Sequence, residues 1–165
     1  MKYIGLISDT HGVFTQDVRD FLAPCDELWH AGDFGGGLDT AREIAAFKPL
    51  VGVYGNCDDY NLHYEYPEYR CFDCEGATVL MTHIGGYPGR YAPQARRLIN
   101  KFRPTIFVCG HSHILRVQYD DVYEMMTLNP GACGRQGWQT LRTALRFKIS
   151  EGAISDMEVL NLPLI

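Results

Sequence analysis

No stretch of the 165 residues stays apolar for the ~20 positions a membrane-spanning helix needs. The opening run Tyr3-Ile4-Gly5-Leu6-Ile7 follows one lysine and is broken at once by Ser8-Asp9, so it is too short for an export signal. A basic excess is missing as well. Asp and Glu number 20 against 15 Lys and Arg, for a net charge of −5, which argues against a nucleic-acid polymer as partner. No repeat, charge block or flexible linker marks a second domain. Cysteine is present without a framework. Residues 25, 57, 71, 74, 109 and 133 contain a single C-x-x-C, Cys71 and Cys74, and a zinc ribbon would need a second pair. With no export signal, reduced thiols in a cytoplasmic protein are expected, and that pair reads as two structural thiols.

What is present is ordinary globular composition, 46% hydrophobic and 21% charged, in a length suited to one domain over residues 1–165. Tyr3 to Ser8 is a short apolar run and predicts a buried strand. Apolar residues at 14, 18, 21 and 22 have helical spacing, closed by Pro24. A strand at 28–31, a helix at 38–47 stopped by Pro49, and a strand at 50–54 follow. That alternation predicts an α/β layout with parallel strands, whose carboxyl ends are where ligands bind. Residues 66–72 and 77–82 then predict a hairpin turning at Glu75-Gly76. A helix at 92–102 ends before Pro104, and a strand runs from Ile106 to Cys109. Segments 116–119, 123–128, 141–149 and 154–160 read as strands, so the chain is α/β first and β-rich later.

Five predicted strand ends carry the same cargo: Asp9 with His11, Asp33, Asn56, His83, and His111 with His113. Each acid, amide or imidazole follows an apolar run and sits beside a small residue. One such coincidence is cheap, but five along one chain are hard to explain by core packing. The donors are oxygen and imidazole nitrogen, which suit manganese, iron, zinc or nickel better than calcium, copper(I) or an iron–sulfur cluster. Seven donors are too many for one catalytic ion. They fit two ions about 3.5–4 Å apart that share a carboxylate and clamp a phosphoryl group. Two divalent ions would outweigh the carboxylates of Asp9 and Asp33, so an acidic chain can still take an anionic substrate.

In order and spacing, Asp9-x-His11, Gly32-Asp33, Gly55-Asn56-Cys57-Asp58, Thr82-His83 and Gly110-His111-Ser112-His113 resemble the calcineurin-like metallophosphoesterases. The likeness is to their small, single-domain bacterial and archaeal phosphodiesterases, and the Asn129-Pro130-Gly131 turn extends it over nearly the whole chain. The resemblance implies a four-layer αββα sandwich of two mixed β-sheets flanked by helices. It implies one metal held by Asp9, His11, Asp33 and His113, and a second held by Asp33, Asn56, His83 and His111, with Asp33 as the bridge. Two divalent ions per chain are implied, manganese first, with nickel, iron, zinc or magnesium as alternatives. The implied reaction is hydrolysis of a small or nucleotide-like phosphoester by direct attack of a metal-bridging hydroxide. Asp33 and Asn56 are then the catalytic pair. The alternative is a non-catalytic interaction scaffold of the same fold, although such relatives typically lose ligands and here all seven positions are filled. No membrane partner is expected, and a homo-oligomer stays open.

Two departures affect the substrate side. Many relatives carry histidine after the Gly-Asn, whereas this chain has Cys57, a poor proton donor that favours good leaving groups. Gly32-Asp33-Phe34 runs into three glycines, readable either as backbone N–H groups near a phosphate or as a plain flexible loop. Arg90 could meet a substrate phosphate or simply solvent, and Arg135 is a weaker candidate. Asp58 could orient a ligating histidine or cap its turn, and His30 reads as structural rather than as a support for Asp33. His63 reads as surface, while Trp29 and Trp138 are expected in core or groove packing.

Overall fold

A computed structural model describes residues 1–164. In β1 (Lys2–Ile7), Ile4 and Leu6 face one core while Tyr3 and Ile7 face another, as alternation along a strand requires. β1 pairs in parallel with β2 (Glu27–His30), and β2 with β3 (Leu50–Gly52). The crossovers are α1 (Gln16–Leu22) and α2 (Gly37–Phe47), which bury Val18, Leu22, Ala41 and Ile44 against the outer face of this sheet. The sheet is completed by β11 (Leu141–Ser150), antiparallel to β1, and by β12 (Ala153–Pro163), in the order β12-β11-β1-β2-β3.

The second sheet starts with β4 (Tyr69–Cys74) and β5 (Ala77–Thr82), joined at Glu75 and Gly76. Both turn residues have positive φ, 47° and 86°, the combination a two-residue hairpin turn demands. β8 (Ile106–Val108), β10 (Met125–Pro130) and β9 (Leu115–Asp120) complete the order β4-β5-β8-β10-β9, with β5, β8 and β10 parallel. α4 (Pro93–Phe102) begins with proline in its first turn, where no N–H is needed, and buries Ala95, Leu98 and Ile99 on the outer face.

The two five-stranded mixed sheets stack face to face, and helices cover both outsides, giving the four layers implied by the resemblance. Trp29 sits fully buried between them, edge-on to Phe72 at 5.3 Å and to Phe147 at 5.8 Å. Two small elements had no legible signal: α3 (Tyr60–Glu65), which buries only Leu62, and the ribbon of β6 (Gly86–Tyr87) with β7 (Arg90–Tyr91). Cys71 and Cys74 lie on opposite faces of β4, one packed toward α4 and the other between the sheets, so they cannot share an ion. All six thiols are free. Among the described residues, no helix is long and apolar enough to cross a membrane.

Candidate metal centre

The parallel strands of both sheets deliver their carboxyl ends to one edge. Asp9 and His11 follow β1, Asp33 follows β2, Asn56 follows β3, His83 follows β5, and His111 and His113 follow β8. These residues form two groups, Asp9 with His11 and His113, and Asp33 with His83 and His111, each with its donor atoms within 4.8 Å of one another. Asp33 Oδ2 lies 3.1 Å from His83 Nε2 and 3.9 Å from His11 Nε2, so it faces both groups. Asn56 Oδ1 is 3.0 Å from His111 Nδ1. The structure thus brings all seven side chains together, and each group draws on both sheets.

This convergence bends the backbone. Asp9, His11, Asp33, His111 and His113 all have positive φ, between 46° and 71°. Residues other than glycine rarely occupy that region, and such conformations cluster where function requires them. Two glycines permit the approach. A Cβ on Gly55 would lie 2.1 Å from Asp33 Oδ1, and one on Gly110 would lie 2.1 Å from Ser8 Oγ and 2.9 Å from Asp9 Oδ2.

Asp33 is held by its backbone as well as its side chain. Asp58 Oδ2 accepts from the N–H of Asp33 at 2.9 Å and of Gly55 at 2.8 Å, while Oδ1 accepts from Gly35 N–H at 3.2 Å. Asp58 therefore clasps the loops that carry Asp33 and Asn56, and it orients no histidine. Cys57 N–H donates to Asp33 Oδ1 at 2.8 Å, which leaves Oδ2 for the imidazoles. In the glycine run, Gly35 is spent on Asp58 and packs against the His11-Gly12 backbone, and Gly36 caps α2. This run is a packed turn.

The imidazole tautomers follow from their partners. His83 Nδ1–H donates to the carbonyl of Ala31 at 2.7 Å, leaving the Nε2 lone pair free. Gln139 donates from Nε2 to the carbonyls of Gly134 and Gln136, so its Oε1, 2.8 Å from His113 Nδ1, must accept. His113 Nε2 is then free and points at Asp9 Oδ1, 3.2 Å away. Asp9 Oδ2 is occupied by Ser8 Oγ–H at 2.6 Å and by His111 N–H at 3.1 Å. Asp9 Oδ1, His11 Nε2 and His83 Nε2 remain buried without a hydrogen-bond partner among the described residues. Buried polar atoms are nearly always satisfied. Three orphans converging from two carboxylate–imidazole groups fit a divalent cation, and the oxygen and nitrogen donors suit manganese, iron, zinc or nickel.

The charges agree with this assignment. Burial alone would raise the Asp9 carboxyl, but the neighbouring imidazoles of His11, His113 and His83 and the Ser8 hydroxyl outweigh it and hold its pKa well below the carboxylate range. Burial likewise works against ionised Asp33, and the His83 imidazole wins. His83 is pushed down by burial but up, on balance, by Asp33, while His111 is lowered by burial and by His83.

Sequence reasoning missed Ser8, Gln139, the Ala31 carbonyl and the positioning role of buried Asn129. Asn129 donates from Nδ2 to the Gly110 carbonyl at 3.0 Å and to Ser112 Oγ at 3.1 Å, fixing the turn that aims both histidines. Only the Asn-Pro-Gly turn hinted at it. Gln139→Leu is expected to weaken metal binding about 10–100-fold, the usual effect of losing a partner that orients a ligating imidazole. Competition with a chromophoric chelator measures this, and unchanged affinity would show that Gln139 does not orient His113.

The remaining candidates divide. His30 is fully buried and stacked on Phe34 at 3.7 Å. It accepts from Gly32 N–H at Nδ1 and donates from Nε2 to Thr10 Oγ1, whose own proton goes to Phe34 O. Burial drives its pKa down to about 3 from 6.5. Below pH 6.5 the unfolded chain gains a proton that the native state refuses until about pH 3. This residue's contribution is therefore complete above pH 6.5 and is lost as pH falls, at about 1.4 kcal/mol per unit. Denaturation between pH 4 and 7 should show a shallower pH slope for His30→Asn. Equal slopes would contradict the assignment. His63 is exposed and stacks on Tyr54 at 3.7 Å, and Arg135 is exposed. Trp29 is core, but Trp138 corrects the expectation of packing, because it is fully exposed. Gln139 turns inward to His113, and its neighbour is left facing solvent. Cys57 is exposed beside Asp33, and Arg90 is exposed in β7 at a cleft that reaches His111.

A helix–sheet–sheet–helix sandwich with two carboxylate–imidazole groups at one sheet edge defines the metallophosphoesterase class. The family model described as the calcineurin-like phosphoesterase superfamily domain matches residues 1–152, and the chain belongs to that superfamily. Solved structures share the fold. An archaeal phosphodiesterase is 18% identical, with 97% of this chain and 99% of that one covered and a TM-score of 0.75. A Thermotoga maritima protein is 24% identical over 98% and 100%, with a TM-score of 0.71. Entamoeba histolytica Vps29, solved with zinc, is 14% identical over 99% of both chains, with a TM-score of 0.73. Among curated proteins, none matches the sequence at a significant level.

Proposed function

We propose that this chain is a dinuclear, metal-dependent phosphodiesterase acting on a small or nucleotide-like phosphoester, with manganese as its metal. One observation carries the reading: Asp9 Oδ1, His11 Nε2 and His83 Nε2 are buried and unpartnered where the two donor groups meet. When bound, two divalent ions would supply an activated hydroxide and the positive charge that a phosphoryl group requires. Asp33, facing both groups, would hold both ions. Asp9, His11 and His113 would complete one site, and Asn56, His83 and His111 the other. Asn56 is exposed at the mouth and can reach a phosphate oxygen. Partial desolvation and the Asp33 carboxylate push the Cys57 thiol up, so it stays protonated beside the site as a weak acid suited to good leaving groups. Arg90 supplies a cation at the adjoining cleft. Six free thiols suit a reducing cytoplasm, where we place the protein.

The competing reading is an interaction scaffold, favoured by the fold shared with Vps29. Manganese loading of the purified chain separates the two. Two ions per chain by elemental analysis, with hydrolysis of bis-p-nitrophenyl phosphate, are expected. No turnover with manganese or nickel bound would overturn the enzyme reading.

A further inference from the structure

The candidate centre is flanked by two clefts of opposite character. One, about 300 Å³, runs from Asn56 and His83 along Tyr54, Ile84 and Pro93. Its ionic group is Glu68, whose Oε1 accepts from Gln94 at 2.9 Å, so this side is apolar and unfavourable to an anion. The other, about 250 Å³, passes around Ile84 to His111 and Ser112, between the β6–β7 ribbon and the start of β9. Its walls carry Arg90 and Arg116 and no carboxylate.

Neither arginine is in a salt bridge among the described residues, although the chain is acidic overall. Arg116 is nevertheless held in place. Its guanidinium stacks over the Tyr87 ring at 4.6 Å, and Nη1 donates to Gln118 Oε1 at 2.8 Å. A guanidinium has five N–H donors, so most of its fork stays free. Ser112 Oγ accepts from Ile114 N–H and Asn129 Nδ2, which leaves its own proton to donate into the cleft. A preset guanidinium, a second free one and a hydroxyl donor make a cradle for a phosphate-type anion.

We infer that the substrate is an unsymmetrical phosphoester. One arm carries a second anionic group that lies between Arg90 and Arg116, and the other is an uncharged, flat arm for the apolar cleft. The inference rests on the phosphoesterase reading and adds a substrate class to it. A charge-assisted hydrogen bond sets the scale of discrimination at about ten- to a hundredfold.

The test uses the manganese-loaded chain and two matched esters, the p-nitrophenyl ester of thymidine 5′-phosphate with and without a 3′-phosphate. The form with the extra phosphate should have a kcat/KM at least about tenfold higher, and Arg116→Gln should reduce that ratio to about twofold. Equal rates for the two esters in the wild type, or an unchanged ratio in the variant, would overturn the inference. Titration calorimetry of the metal-free chain with inorganic pyrophosphate and with malonate gives a second readout that needs no turnover. Binding weakened by Arg116→Gln supports the cradle, and preference between the two probes distinguishes a phosphate from a carboxylate. No binding of either probe would overturn it. Loss of bis-p-nitrophenyl phosphate hydrolysis with pyrophosphate binding intact would count against the catalytic reading alone.

Discussion

Asp33→Asn is expected to lower bis-p-nitrophenyl phosphate turnover by more than about a hundredfold, beyond the 10–100-fold cost of removing a mere supporting partner. It should also reduce bound manganese from two ions per chain to one or fewer. Asparagine is the informative replacement, because the position has φ 59° and Asn tolerates that conformation as Asp does. Its amide oxygen can still accept from Cys57 N–H, so the loop is retained and the charge is removed. Elemental analysis beside the assay checks both parts. Full activity with two ions bound would show that Asp33 bridges nothing.

The second large effect concerns stability. Trp29→Ala removes a fully buried side chain that packs edge-on against Phe72 of one sheet and Phe147 of the other. The expected loss is about 3–5 kcal/mol, the range for large-to-alanine changes in a core. A chain of this size should melt roughly 10 °C lower. Since an ion that binds only the native state stabilises it by mass action, manganese at 100 times its dissociation constant should restore roughly 2.7 kcal/mol for each ion bound. Thermal melts of both proteins with and without manganese measure this. A variant melting like the wild type would show that the two sheets do not depend on that contact.

Much of the architecture was legible because the parallel strands are buried on both faces. Each reads as a short apolar run, and the chemistry starts where the run stops, as at Ser8-Asp9 or Cys109-Gly110-His111. What was not legible is held through space. His113 finds Gln139 26 residues on, His83 finds Ala31 52 residues back, and His111 N–H reaches Asp9 across 102. No local pattern encodes such partners. α3 escaped because six residues with one buried side chain show no periodicity, and Trp138 because hydrophobic character cannot tell a packed ring from one left outside by its neighbour.

Each donor group takes residues from both sheets: Asp9 and His11 with His113, and Asp33 with His83 and His111. The centre therefore measures the registration of one sheet on the other. A slip of about an ångström between the layers would spoil both donor sets together, since coordination tolerates only a few tenths. Substitutions far out on the sandwich that let it slide should thus be detected first as lost metal, well before secondary structure is lost. Bound ions would, for their part, act as a clasp on the open edge of two stacked plates.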